Sequence, residues 1–277
     1  MHGVAAFTRL VYRRKFTSED AGRQTLARPK GPSAPPRGLP ATLSREFSFP
    51  VYELRNGGPA VVIYLHGGAY TSEIVGQHWS LISFIAARTG CDVLVPIYGL
   101  APAHHGLEAL ELVKEVIAAQ DRPVYLAGDS AGGGLALLAA QASPGVTGMT
   151  LLAPWLDLAM DNPGIEAIEP YDPWLARPGL RPIADAWANG LDLKDPRVSP
   201  IHGDLSGLPP LQLLVGTRDI TLADCRTLRD RLPSTTELTY HEEPGALHVY
   251  PLLPVPEARG GRQMIVNHVR ASVARVV

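Results

Sequence analysis

Val124-Tyr125-Leu126-Ala127-Gly128-Asp129-Ser130-Ala131-Gly132-Gly133-Gly134 is the stretch on which the fold turns. An apolar run ends in G-x-S-x-G, and the small-residue segment Gly133 to Ala142 follows. That order reads as a buried strand, a sharp turn and a helix, the context in which this motif presents a serine hydroxyl. The glycines have a steric reason: a turn tight enough to strain the serine backbone leaves no room for flanking side chains. The hydroxyl then stands at a helix N-terminus, where free N–H groups can receive a developing negative charge. Other glycine-rich turns do not match. A Walker-type phosphate loop needs Gly-Lys-Ser/Thr, and Gly128 to Gly133 does not fit the dinucleotide pattern G-x-G-x-x-G.

On both sides of this stretch the chain alternates short β-type runs with helical segments. Strands are expected at Val61–Leu65, Asp92–Ile97, Val124–Ala127, Met149–Leu152, Leu211–Val215 and Glu237–Tyr240. Several are continuous apolar runs, as strands covered on both faces of a parallel sheet should be. Leu107, Leu110, Val113 and Ile117 are spaced as one helix face, and Leu135, Leu138 and Ala139 repeat the pattern after the serine. Residues 257–277 read as a final helix. The fold class is therefore α/β, a mostly parallel central sheet flanked by helices.

Two regions break the rhythm. Residues 1–28 mix apolar and charged positions and suit one or two short helices, with Ser18-Glu19-Asp20 as a helix start. Pro29 to Pro40 is rich in Pro, Gly and Ser and reads as an extended linker. From Met160 to Leu208 there are many Pro, Asp and Trp residues and no good strand, but a short helical pattern near Pro182–Asn189. This is expected to be a helical insertion over the sheet edge, against which the N-terminal helices can pack. The chain divides accordingly into 1–45 (first part of a small helical cap, and linker), 46–159 (first part of the core), 160–205 (second part of the cap) and 206–277 (second part of the core).

Three further elements join Ser130. His66-Gly67-Gly68-Ala69-Tyr70 directly follows the run Val61–Leu65. Adjacent glycines let a backbone approach a substrate closely, so the N–H groups of Gly67, Gly68 and Ala131 are the expected oxyanion donors. His66, too near the strand end to act as a base, is expected to brace this loop. Asp219 follows the buried run Leu211–Gly216, at the strand end where ligand-handling groups collect in open α/β sheets. Asp224, its competitor, falls within the next helix and is expected to face solvent or the helix start. His248 lies in the loop Pro244–Tyr250, between the last strand and the last helix. The chain order Ser, Asp, His is the one that accompanies a G-x-S-x-G serine.

Composition narrows the partners. The formal net charge is −2 over 277 residues, which argues against nucleic acid. The two cysteines, Cys91 and Cys225, match no metal-ligand spacing and read as free thiols in a reducing compartment. No window approaches the roughly 18 apolar residues of a membrane span, and no apolar core follows the basic cluster Arg9, Arg13, Arg14 and Lys15. The expectation is a cytoplasmic protein with no stable membrane insertion. The last strand, if it lies at the sheet edge, offers a surface for a homodimer.

Together the motifs HGGAY, GDSAGG, Ser206-Gly-Leu-Pro-Pro-Leu leading to Val215-Gly-Thr-Arg-Asp219, and Leu247-His-Val-Tyr250 resemble the hormone-sensitive-lipase-like esterases of the α/β-hydrolase superfamily. Tyr98-Gly-Leu-Ala-Pro102 resembles the family's Y-R-L-A-P-E segment, with Gly99 for Arg and Ala103 for Glu; Ala69 stands for a third glycine. The resemblance implies an α/β-hydrolase fold with a two-part cap, a Ser130–Asp219–His248 triad, no cofactor and no metal. It also implies a small-molecule substrate: a carboxylic ester of short to medium acyl chain, cleaved through an acyl-enzyme. Tyr70, Tyr171, Trp174 and Trp187 are the aromatic candidates for the substrate pocket, with core packing of the cap as the competing role for the last three. Two alternatives share the triad or the fold: an amide or lactone hydrolase of arylformamidase type, and a catalytically silent ligand-binding receptor. The receptors look like hydrolases that lost the histidine, whereas His248 is present. A neutral base requires activity to fall below a pH of roughly 6–7.

Overall fold

All six expected strands pair in one sheet, in a computed structural model that describes residues 1–277, the side chain of His2 excepted. The strands are β1 (Thr42–Ser44), β2 (Val51–Leu54), β3 (Val61–Leu65), β4 (Asp92–Pro96), β5 (Val124–Asp129), β6 (Val146–Leu152), β7 (Leu211–Gly216) and β8 (Leu238–Glu243). Their spatial order is β1-β2-β4-β3-β5-β6-β7-β8. From β4 across to β8 every pairing is parallel, while β2 joins β4, and β1 joins β2, antiparallel. Every residue of β3, β4, β5 and β7 is buried, which is why those runs carry no alternation. β1 and β2 escaped the apolar pattern because β1 is a short, largely exposed edge and β2 has only four residues.

The helices are α1 (His2–Val11), α2 (Glu19–Ala27), α3 (Gly76–Thr89), α4 (Gly106–Ala118), α5 (Ser130–Ala142), α6 (Gly164–Ile168), α7 (Arg177–Ala188), α8 (Leu222–Arg231) and α9 (Glu257–Val273). Ser18 caps α2, its Oγ accepting the Ala21 N–H at 3.2 Å. In α4 the buried face is Ala109, Leu110, Leu112, Val113 and Val116; Leu107 and Ile117 are only half-buried.

The chain path places the site. From β3 the chain steps to β4 on one side, then returns past β3 to β5 and continues to β6. Right-handed crossovers therefore put α3 on one face of the sheet and α4 and α5 on the other. The carboxyl ends of β3 and β5, neighbours with Leu65 paired to Gly128, flank the crevice at this reversal. The HGGAY loop leaves β3 there, and Ser130 leaves β5.

Residues between β6 and β7 form the insertion, carrying α6 and α7. α7 begins five residues before the expected Pro182. Pro178 is tolerated in the first turn, and Pro182 inside the helix imitates a start. The N-terminal segment packs on this insertion. The Gly179 N–H donates to the Phe16 carbonyl at 2.9 Å, and a Cβ on Gly179 would lie 2.3 Å from the Phe16 Cα. Only glycine allows that approach. The Arg13 guanidinium also donates to the carbonyls of Asp172, Leu175 and Glu169, so one N-terminal cation ties down the loop before α7.

Candidate active site

Ser130 opens α5 with φ +51°, a left-handed backbone that costs a non-glycine residue about 1–3 kcal/mol. The turn survives because its neighbours fit nowhere else: a Cβ on Gly132 would lie 2.1 Å from the Leu65 carbonyl oxygen. The strained turn thus locks the start of α5 onto the end of β3. Ser130 itself is 8% exposed.

Asp219 comes from the loop after β7 and His248 from the loop after β8, so adjacent strands deliver both. The His248 Nδ1–H donates to Asp219 Oδ2 at 2.8 Å, and Ser130 Oγ stands 2.9 Å from His248 Nε2. The carboxylate on Nδ1 leaves Nε2 as the acceptor for the serine proton. The other Asp219 oxygen accepts the Thr221 N–H at 3.0 Å, so the carboxylate cannot rotate away. Val249, next to the histidine, has φ +49°, a second strained residue beside the site. Burial works against charging His248. The charge and hydrogen bond of Asp219, with the charges of Asp172 and Asp129 behind it, outweigh burial and hold its pKa above the usual value.

The HGGAY loop faces this pair. Gly68 and Ala69 line the same cavity as Ser130 and His248. Among the described residues, the N–H groups of Gly67 and Gly68 donate to no backbone acceptor. The Ala131 N–H belongs to the first turn of α5, whose donors lack intrahelical partners. Ala69 and Tyr70 both have positive φ, at +51° and +57°, so the alanine that departs from the family glycine carries strain glycine would avoid. His66 is fully buried, stacks on Tyr98 with ring centres 4.6 Å apart, and donates Nδ1–H to the Gly67 carbonyl at 2.7 Å. Burial pulls its pKa to about 4, so it stays neutral. Gly99 also has a local cause: a Cβ there would lie 2.3 Å from the His104 ring, which Glu108 holds at 2.9 Å.

Above the serine lies a cavity of about 440 Å³, walled by Val4, Phe7, Tyr12, Phe16, Trp174, Leu175, Val249 and Leu252. Of the four aromatic pocket candidates, Trp174 lines it, its ring 5.6 Å from His248 and 5.2 Å from Tyr12. The other three do not. Tyr70 and Trp187 stack on each other at 3.9 Å beneath the insertion, each 1% exposed, and the Tyr70 hydroxyl donates to the Ala131 carbonyl. Tyr171 is 67% exposed. The polar exceptions on the cavity wall include Lys15 and Glu73; burial lowers the first pKa and raises the second.

Asp224 lies at the helix start, in the first turn of α8, and not in solvent. It is buried, the Asn162 amide donates to Oδ1 at 2.8 Å, and burial pushes its pKa up to about 7. The sequence reading missed Asp172 altogether. Fully buried, it accepts the N–H groups of Trp174 (2.7 Å) and Leu175 (2.9 Å) on Oδ1 and that of Ile220 (3.0 Å) on Oδ2. It therefore joins two cavity-wall residues of the insertion to the loop that carries Asp219. Burial and the Asp219 charge raise its pKa. Asp172-Pro173 after a helical run looks like an ordinary turn, and nothing local marks its contact with Ile220.

Residues 62–252 match a family model described as the alpha/beta hydrolase fold. An acetyl-hydrolase of Streptomyces hygroscopicus is 34% identical over 209 residues, spanning 70% of each chain. An esterase of Acinetobacter venetianus is 31% identical over 183 residues, 62% of this chain and 60% of its own length. Among solved structures, an esterase from the bacterial hormone-sensitive lipase family superposes with a TM-score of 0.81 at 26% identity, covering 98% of this chain and 97% of the other. An esterase/lipase from an uncultured bacterium gives 0.82 at 22% identity over 99% and 98%.

Proposed function

The chain belongs to the α/β-hydrolase fold family, among its hormone-sensitive-lipase-like esterases, and from that premise we propose that this carboxylesterase works through an acyl-enzyme on Ser130. The observation that carries the reading is the unbroken pair of contacts from Asp219 through His248 to Ser130, 2.8 and 2.9 Å long, opening on an apolar cavity.

His248 Nε2 takes the Ser130 proton as Oγ attacks the ester carbonyl carbon. The carbonyl electrons move onto oxygen, where the N–H groups of Gly67, Gly68 and Ala131 receive the charge; each such donor is worth about 10²–10³ in rate. Asp219 stabilises the imidazolium. The tetrahedral intermediate collapses, the C–O bond to the alcohol breaks, and His248 returns the proton to the leaving oxygen. Water then repeats the cycle on the acyl-enzyme and releases the acid. The cavity suits a short to medium acyl chain, with Trp174 packed against it beside His248. Residues 1–45 and 160–205 act as the cap that closes this cavity.

The test is hydrolysis of p-nitrophenyl esters from acetate to laurate by the wild type and by Ser130→Ala. Turnover that favours short and medium chains and vanishes in the variant supports the reading. Equal rates in the two proteins would overturn it.

A further inference from the structure

We propose that the outer face of α1 docks on an anionic lipid surface, bringing the cavity mouth against it. Phe7, Leu10 and Val11 follow the i, i+3, i+4 spacing of one helix face, and they are 57%, 62% and 42% exposed. The opposite face is already used: Ala5 and Thr8 are 7% and 2% exposed. An exposed apolar stripe on a helix that already buries its other side marks an interaction surface. Phe7 also lines the cavity above Ser130, and so does Val75, another exposed apolar residue at 48%. Phe7 therefore joins the stripe to the cavity rim.

Charge selects the partner. Residues 1–18 contain Arg9, Arg13, Arg14 and Lys15 and no Asp or Glu, in a chain whose formal net charge is −2. Arg13 is held by the insertion's carbonyls, but Arg9 and Arg14 are exposed. An apolar helix face flanked by cations, with the first acids, Glu19 and Asp20, coming only at the start of α2, is the pattern of helices that lie in the headgroup layer of anionic membranes. The protein sits on the surface rather than crossing it, since no described helix is long and apolar enough to span a bilayer.

The experiment is co-sedimentation of the full chain with vesicles of phosphatidylcholine alone and with added phosphatidylglycerol, at low and high salt. Partition onto the anionic vesicles should be at least about tenfold stronger and should fall with salt. Leu10→Ser/Val11→Ser should reduce it about tenfold or more, and Arg9→Gln/Arg14→Gln should remove most of the salt dependence. Both double variants should keep wild-type circular dichroism and hydrolysis of a soluble short ester. If the serine pair destabilises α1, the glutamine pair, which leaves the apolar stripe intact, carries the test. Equal partition onto both vesicles, no partition, or partition unchanged by either pair would overturn the proposal. So would a concentration-dependent dimer lost in Leu10→Ser/Val11→Ser, which assigns the face to a second copy of the chain. Vesicle binding is read without any turnover, so its failure is separate from failure of the esterase mechanism.

Discussion

At the carboxyl edge of the sheet, Ser130, Asp219 and His248 are 8%, 0% and 3% exposed, the first at a strand-to-helix turn and the others on loops leaving strands; in the segments above them, Phe7 is 57% and Tyr171 67% exposed. The first region is held by what lies behind it. Parallel strands, a turn that excludes side chains and two hydrogen bonds on Asp219 leave the three groups one arrangement. The second is held by a few specific contacts between segments far apart in sequence: Phe16 on Gly179, Arg13 on three carbonyls, Trp187 on Tyr70. In the proposed mechanism the sheet edge carries the reaction, whereas the proposed cap carries the shape of the substrate's surroundings. Changes at the edge should abolish chemistry without unfolding the protein, and changes in the cap should divide between stability and specificity.

Ser130→Ala is the sharpest way to break that division. It should lower kcat on p-nitrophenyl butyrate by roughly 10⁴-fold or more with an unchanged melting temperature. A loss of less than tenfold would mean that the sheet edge is not where the chemistry occurs.

Within the cap, two tryptophans separate stability from selectivity. Trp187→Ala removes a fully buried ring and should cost about 3–5 kcal/mol in urea unfolding. Trp174→Ala, half-buried on the cavity wall, should cost less than about 2 kcal/mol but shift the chain-length profile and KM. If the two variants behave alike, the cap does not divide as the structure indicates.

Asp224 tests the border between the regions. Its carboxyl keeps a proton in the fold up to a pH of about 7, whereas the unfolded chain releases it near about 3.9. Between those values the native state binds the extra proton, so stability falls as pH rises and levels off above about 7. Asp224→Asn keeps the shape and removes the ionisation. Relative to wild type, it should be more stable at pH 8 than at pH 4 by about 2–4 kcal/mol, read from urea melts at the two pH values.

The smallest effect is expected at Asp172. In the proposed mechanism only the neutral imidazole accepts the serine proton, so the raised His248 pKa should put the acid limb of the kcat/KM profile above the ordinary histidine value of about 6.5. Asp172→Asn withdraws one negative charge that favours the imidazolium, so the limb should move to lower pH while Asp219 keeps the ring in place. A limb that stays put would confine Asp172 to holding the backbone of Trp174, Leu175 and Ile220.

Where sequence reading succeeded, the signal was local and periodic. β-type runs of four to six residues identified the parallel strands, and G-x-S-x-G with HGGAY announced the turns at the ends of β5 and β3. It failed where the cause was distant. Asp224 looks like an ordinary acid in a first helical turn, and only Asn162, brought over by the insertion, shows that it is buried. Trp187 and Trp174 are equally aromatic and equally placed in a cap-like segment. Trp187 lies on α7 and stacks on Tyr70, whereas Trp174 lies on the loop before α7 with its backbone N–H held by Asp172, and no local pattern separates the two.

By itself the sequence determined the α/β sheet, the order in which Ser130, Asp219 and His248 leave it, and the glycine turns that bring them to one edge. These follow from strand burial and backbone sterics, which act over a few residues. The tertiary structure alone decided which aromatic side chains wall the cavity, that Asp172 joins the insertion to the acid's loop, and that α1 turns an apolar face outward. Those outcomes depend on packing between segments distant in sequence, from 48 residues (Asp172 and Ile220) to 159 (Arg13 and Asp172), where no local propensity reports the partner.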